Sequence, residues 1–264
     1  MTSEQKLIKY GAIALAVLLI AGIIGAIISI VGIFTGMGGS AVGENKSYTV
    51  EGEIRSLFVE VGAADFKIVE SEIFLVESNL KRLEVEVKGN TLTVCDKTRN
   101  KANYNDAQLT IYVTKDIILA DLDITTGAGK FTAGKLAAAS LSLELGAGQA
   151  VIDNLTVTNN ANIEGGAGEI SILGGSIRNL DLEMGVGALN LSSELLGESE
   201  LDLGVGEVKI TLLGGRDSYT LELNKALGDL RLDGESLSSS RVIGNGASIV
   251  EVNGGIGRID ISFE

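Results

Sequence analysis

Four carboxylates recur at one position of a repeated segment. They are Glu144, Glu164, Glu183 and Asp202, at intervals of 20, 19 and 19 residues. If each repeat is one β-coil of a stack, neighbouring carboxylates lie about 4.8 Å apart. Calcium prefers hard oxygen ligands of this kind, so the pattern predicts a column that binds Ca²⁺ weakly. The alternative is a solvated acidic face that keeps the sheet from aggregating.

The composition excludes several other kinds of chemistry. The 264 residues include no His and one Cys, so there is no histidine base, no Ser-His pair and no zinc cluster. With 21 Lys and Arg against 35 Asp and Glu, the net charge is -14, which repels a phosphate backbone. The composition therefore excludes the enzyme classes that need histidine or several cysteines, and it predicts no nucleic-acid partner. We expect no enzyme activity, no catalytic residue and no cofactor beyond weakly bound Ca²⁺.

The elements that carry these carboxylates are alternating apolar segments interrupted by Gly-x-Gly or a related triplet. Intervals of 19, 20, 19, 19, 22 and 29 residues separate the last glycine of successive triplets. A period near 20 is typical of one coil of a parallel β-solenoid, whereas a sandwich shows turn signals about every 8 to 12 residues. The predicted fold is therefore an all-β, parallel β-solenoid of 19–20-residue coils. The glycines are Gly129, Gly148, Gly168, Gly187, Gly206, Gly228 and Gly257.

The same period aligns the flanking residues into columns. The positions five before and two and four after the repeated glycine are apolar in all seven copies. Alternate residues of a strand point to one face, so these columns predict the core. At the outward positions six and four before the glycine, nine of fourteen residues are acidic and none is basic. One face of the solenoid is therefore expected to be acidic.

The N-terminal region predicts a membrane anchor. Residues 11–34 form an uncharged apolar run of 24 residues, which as a helix crosses a bilayer core of roughly 30 Å. The run exceeds the 7 to 15 apolar residues typical of a cleaved signal peptide. We expect one transmembrane helix over residues 10–35, in contact with the lipid bilayer. Lys6 and Lys9 precede it, which favours a cytoplasmic N-terminus and an extracytoplasmic C-terminal domain.

The predicted organisation is a membrane anchor followed by a β-domain. Residues 47–115 fit the repeat poorly and are expected to supply the first coils or a cap at the membrane-proximal end. The predicted segments are a cytoplasmic N-terminus (1–9), a transmembrane helix (10–35), a linker (36–46), a membrane-proximal β-region or cap (47–115) and the solenoid repeats (116–264).

Residues 47–264 resemble the bacterial membrane-anchored "putative adhesin" family, a domain of unknown function with one span before a β-helical extracytoplasmic domain. The resemblance rests on LTIYVTKDIILADLDITTGAGKF and the GAG and GVG coils that follow it. The family has a Pro where this chain has Thr114. The resemblance implies a binding or scaffold module at the bacterial cell envelope, adhesin-like or linked to the envelope-stress response. Its partner would be an envelope protein or a polysaccharide.

Two alternative functions remain open at this point. A polysaccharide-lyase-like enzyme on a β-helix would use acidic calcium ligands and a basic proton acceptor. Opposite charges flank the candidate bases Lys209 and Arg231, which argues against that role. A bactofilin-like scaffold would polymerise by stacking the ends of its solenoids. The predicted span and the acidic face disfavour lateral packing but leave end-to-end assembly open.

Overall fold

The computed structural model describes residues 39–98, 102–224 and 227–264. The predicted transmembrane helix (10–35) and N-terminal segment (1–9) lie outside these ranges. Within the ranges, no helix has the length and hydropathy needed to cross a bilayer. Apart from one 3₁₀ turn (Arg216–Ser218), the regular elements are strands. They are β1 (Val42–Thr49), β2 (Ser56–Ser71), β3 (Leu75–Leu80), β4 (Leu83–Lys88), β5 (Thr91–Asp96), β6 (Gln108–Thr114), β7 (Leu119–Ile172), β8 (Gly175–Arg178), β9 (Leu180–Leu196), β10 (Glu198–Leu212), β11 (Tyr219–Asn224), β12 (Leu227–Leu232), β13 (Glu235–Ser236), β14 (Arg241–Gly244), β15 (Ser248–Asn253) and β16 (Ile256–Phe263).

Successive coils stack in parallel, as the repeat predicts. Gly168 lies opposite Gly187, and Gly187 opposite Gly206, with the flanking strands in the same register. Strand β7 is 54 residues long because its chain turns the corners of successive coils without leaving the sheet. Every residue of the three apolar columns is buried, with at most 8% of its surface exposed. The predicted core is therefore confirmed.

The repeated glycines form one corner of the stack, which we call the glycine corner. Gly187 has a φ of +146°, and a Cβ added there would lie 1.8 Å from the carbonyl oxygen of Gly168 in the coil before. Any other residue would clash with backbone and adopt a disfavoured conformation. In the coil containing Ala64 the corner carries a Cβ. The neighbouring coil on the side that this Cβ would face is formed by β5 and β6. Residues 61–64 turn the corner in β2, but residues 97–107 connect β5 to β6, so the neighbouring coil has no matching tight corner.

The stacking order departs from the chain order at the C-terminal end. Strands β15 and β16 pair in parallel with β10 on one side, and with β11 and β12 on the other. The last coil of the chain (248–263) therefore lies between coil 198–212 and coil 219–232. A parallel β-solenoid predicted from the repeat alone would stack each coil on the next along the chain, and that expectation is wrong for this end.

Charged side chains after the glycine corner favour this exchange. Chain order would place Glu207 beside Asp229, and Lys209 beside Arg231, which are pairs of like charge. Like charges directly opposite each other in a sheet are destabilising. The inserted coil separates them with opposite charges at both positions. In stacking order the two columns are Glu207, Arg258, Asp229 and Lys209, Asp260, Arg231.

The N-terminal end shows the same exchange. Strand β2 pairs in parallel with β7 on one side and with β5 and β6 on the other. Both chain-terminal coils are thus covered by a coil that comes from further inside the chain. Antiparallel strands then cover the outermost coils, with β3 on β6 and β4 on β5 at one end and β14 on β11 and β13 on β12 at the other. Such caps protect open sheet edges and the terminal core.

The exchanged order can be tested by reversing two charges. Replacing Arg258→Glu together with Asp260→Lys makes all four cross-strand contacts repulsive. At about 0.2–1 kcal/mol for each of the four pairs, the free energy of unfolding should fall by roughly 1–4 kcal/mol. Denaturant unfolding measures this loss, which should shrink at high salt. Reversing the four facing charges as well should restore stability. An unchanged free energy in the double variant would show that these ladders do not select the coil order.

Candidate functional site

The strands that lead into the glycine corner present the predicted acidic face. Glu164 lies opposite Glu183, and Glu183 opposite Asp202, while Glu144 holds the same offset from Gly148 in the preceding coil. The structure therefore brings the four predicted carboxylates into one outward column. We define the acidic face as Asp123, Glu144, Glu164, Asp181, Glu183, Glu200, Asp202, Glu222 and Glu251.

Two open grooves run along this face. One, of about 610 Å³, is lined by three column carboxylates and by the buried side chains of Met184 and Leu203. The other, of about 460 Å³, is lined by Asp181, Glu200 and further acidic residues. Most of the remaining lining of the first groove is glycine, namely Gly165, Gly166, Gly185, Gly204 and Gly254. The first groove is therefore an open, acidic surface that suits a positively charged ligand.

The carboxylates form a ladder and do not gather around one point. Within the described ranges, no group of three or more His, Cys, Asp or Glu side chains is placed to hold a metal ion. Parallel stacking keeps one carboxylate per coil at about the strand spacing, whereas a calcium site needs six to eight oxygens around one centre. Weak Ca²⁺ binding along Glu144, Glu164, Glu183 and Asp202 stays a prediction.

Asparagine amides replace carboxylates where the inserted coil joins the column. Asn253 Nδ2 donates to Asp202 Oδ1 at 2.7 Å and to Glu200 Oε1 at 3.2 Å. Asn224 Nδ2 donates to Glu251 Oε1 at 2.9 Å. These neutral donors satisfy carboxylate oxygens without introducing a positive charge, so the face keeps its negative charge.

Repulsion within the face is visible at Glu200. The negative charge of Asp202 is the largest cause that raises the pKa of Glu200, followed by desolvation and by the charges of Glu251 and Asp181. The hydrogen bond from Asn253 acts in the opposite direction. A positively charged partner would relieve this repulsion.

A column of aliphatic side chains, partly buried at Val186 and exposed at the other three positions, lies beside the acidic face. The middle residues of the triplets stack in register, so that Val205 lies opposite Val186 and Ile256, and Ile256 lies opposite Leu227. The exposed fraction rises along the stack from 37% at Val205 to 45% at Ile256 and 64% at Leu227. We call these four residues the aliphatic ridge.

The sequence interpretation missed this ridge because it treated each triplet as a turn. The sequence does contain a signal for the ridge. The middle residue of the triplet is Ala in the first three repeats and a larger aliphatic residue in the next four. In stacking order the middle residues are Ala128, Ala147, Ala167, Val186, Val205, Ile256 and Leu227.

The candidate bases of a lyase are held in charge ladders. Arg231 Nε donates to Asp229 Oδ2 at 2.7 Å. Lys209 lies opposite Asp260 in the neighbouring strand. Both belong to the charge-balanced face beyond the glycine corner, away from the acidic grooves.

Comparison with known families identifies the class of protein. The family model described as Toastrack DUF4097 matches residues 54–250. The chain belongs to this family, and its resemblance to the "putative adhesin" domain of unknown function is confirmed. No curated protein matches the chain significantly.

One of the solved structures similar to this chain shares its fold. A protein from Bacteroides fragilis described as a putative adhesin has 17% identity and a TM-score of 0.54, over 86% of this chain and all of its own. Another described in the same words, from Parabacteroides distasonis, has 13% identity and a TM-score of 0.44, with 86% and 100% coverage. At this level of identity the Bacteroides protein supports the fold alone.

The raised pKa of Glu200 predicts a pH-dependent effect of Glu200→Gln. Since the folded state holds the proton more tightly than the unfolded state, this group's contribution to stability is lost as pH rises through its folded pKa. The variant should therefore have a higher melting temperature than the wild type at pH 7, and the difference should shrink at pH 4. Glu44→Gln, at the other end of the molecule, is the control. A difference that is the same at both pH values would contradict the repulsive origin.

Proposed function

We propose that the chain is a single-pass, membrane-anchored β-solenoid whose extracytoplasmic domain is a binding or scaffold module at the bacterial cell envelope. The observation that carries this proposal is the long regular surface on which the acidic face, its grooves and the aliphatic ridge run side by side. Such a surface offers an extended row of contacts, as the repeat architecture commonly does in binding proteins. The family resemblance favours an adhesin-like role or a link to the envelope-stress response.

The position of the first strand supports presentation of this surface away from the membrane. Strand β1 begins at Val42, only eight residues after the predicted apolar run ends at Phe34. Ala41 is buried, so the chain joins the core at once. The N-terminal cap would then lie next to the bilayer. At about 4.8 Å per coil, the stack would hold the ridge roughly 30–40 Å beyond that cap.

A role without catalysis is part of the proposal. The basic residues that a lyase would need are engaged in charge-balanced ladders, and the grooves beside the carboxylates are open. An active site is usually a concave pocket that buries most of its ligand. A binding surface needs no such enclosure, so the open grooves favour recognition of a large partner.

The capped ends argue against the bactofilin-like alternative. End-to-end polymerisation requires bare terminal coils that can pair with those of another copy. Here antiparallel strands pair with the outermost coils at both ends. The proposed module therefore acts through its lateral faces.

Protease treatment of intact protoplasts tests the proposed location. Protease added from outside should remove the domain after residue 44 and leave a short membrane-bound fragment. A full-length chain that stays protected in intact protoplasts, yet is cut after lysis, would contradict the orientation. Recovery of the chain in the soluble fraction would contradict the anchor. Crosslinking on intact cells, followed by pull-down of the full chain, then identifies the envelope protein or polysaccharide that it binds.

A further inference from the structure

We propose that the aliphatic ridge and the acidic face together form a docking site for a basic amphipathic α-helix of a partner protein. This inference rests on the proposed binding function and specifies the partner's chemistry.

The ridge supplies the apolar half of the site. Val205, Ile256 and Leu227 expose 37%, 45% and 64% of their surface, and their registered stacking makes one continuous strip. A contiguous exposed apolar strip with polar borders is typical of an interaction surface. Repeats nearer the N-terminus carry alanine at this position, so the strip is confined to one end of the solenoid.

Charge around the strip is one-sided. On one side, three residues earlier on each strand, lie Glu183 and Asp202 beside Val186 and Val205, and the neutral Asn253 and Asn224 beside Ile256 and Leu227. Five residues earlier the column is acidic in all four coils, with Asp181, Glu200, Glu251 and Glu222. The groove between column and ridge has Met184 and Leu203 in its lining. On the other side are the alternating charges of the ladders that contain Arg258 and Asp260. A complementary partner therefore carries its positive charges along one side of an apolar stripe.

A second copy of this chain does not meet that requirement. Residues 44–264 contain 19 basic and 34 acidic residues. The ridge of another copy is bordered by the same acidic face and by the same charge-balanced ladders. Neither border offers a positive strip to Glu183 and Asp202, so the observed charges favour a basic partner.

The spacing of the site favours a helix over an extended strand. From Val186 to Leu227 the ridge covers three coil spacings, or about 14 Å. Three turns of α-helix cover about 16 Å, so a helix along the stack places one apolar side chain near each ridge residue. An extended chain repeats one face roughly every 6.8 Å and loses register with the coils after one repeat. Helix-in-groove recognition uses this i, i+4, i+7 pattern of apolar anchors.

The test measures binding of a designed peptide to the full-length chain in phosphatidylcholine nanodiscs, with empty nanodiscs as the baseline. The probe is a fluorescent helical peptide of Leu, Lys and Ala, with leucines on one stripe and lysines along one side of it. A peptide of the same composition with its lysines and leucines scrambled is the matched control. Fluorescence anisotropy gives Kd at two salt concentrations.

Three variants separate the two halves of the site. The ridge variant combines Val205→Thr, Ile256→Thr and Leu227→Thr, each of which places a polar β-branched side chain suited to an exposed strand. The column variant combines Glu183→Gln with Asp202→Asn. The control variant combines Ile73→Thr, also an exposed aliphatic residue, with Glu44→Gln. Thermal unfolding confirms that each variant is folded.

We expect the ridge variant to raise Kd at least tenfold, and the column variant to raise Kd and to reduce its dependence on salt. The control variant should bind as the wild type does. Equal affinity for the scrambled peptide, or an unchanged Kd in the ridge variant, would overturn the proposal and leave only general attraction between opposite charges. Since the binding assay does not depend on cellular location, its failure is distinguishable from failure of the protoplast experiment.

Discussion

The close approach of backbones at the glycine corner is the constraint on which the rest of the structure depends. At Gly187 a Cβ would lie 1.8 Å from the oxygen of Gly168, and at Gly206 it would lie 1.7 Å from that of Gly187. Both positions also have a positive φ. The corner therefore fixes how closely and in which register successive coils stack. Without this fixed register the outward residues would not align into columns.

Registered columns turn single outward residues into continuous surfaces. One column becomes the carboxylate ladder, a second becomes the aliphatic ridge, and two more become the alternating ladders that contain Arg258 and Asp260. The two alternating ladders also favour the observed stacking order, because like charges would meet if coil 219–232 followed coil 198–212 directly. That exchange brings Ile256 between Val205 and Leu227 and so sets the order of the ridge.

Local periodicity predicted the parts of the structure that depend on neighbouring residues in the chain. Alternation around each glycine identified the buried columns, such as the one containing Leu189 and Ile170, because strand geometry alone decides which side chains point inward. The exchanged coils could not be predicted from local pattern. Their order is favoured by interactions between distant repeats, such as the repulsion that would arise if Glu207 lay beside Asp229. The ridge was missed because each triplet was interpreted only as a turn, although its middle residue is larger than alanine in the last four repeats.

The free energy of unfolding of two glycine variants tests the central constraint most directly. Gly187→Ala introduces a Cβ against the Gly168 carbonyl, whereas Gly134→Ala introduces one where nothing lies within 4 Å. The account predicts a loss of roughly 3 kcal/mol or more for Gly187→Ala. It predicts a change within about 1 kcal/mol for Gly134→Ala. Equal effects of the two substitutions would contradict the claim that contact at the glycine corner holds the coils in register.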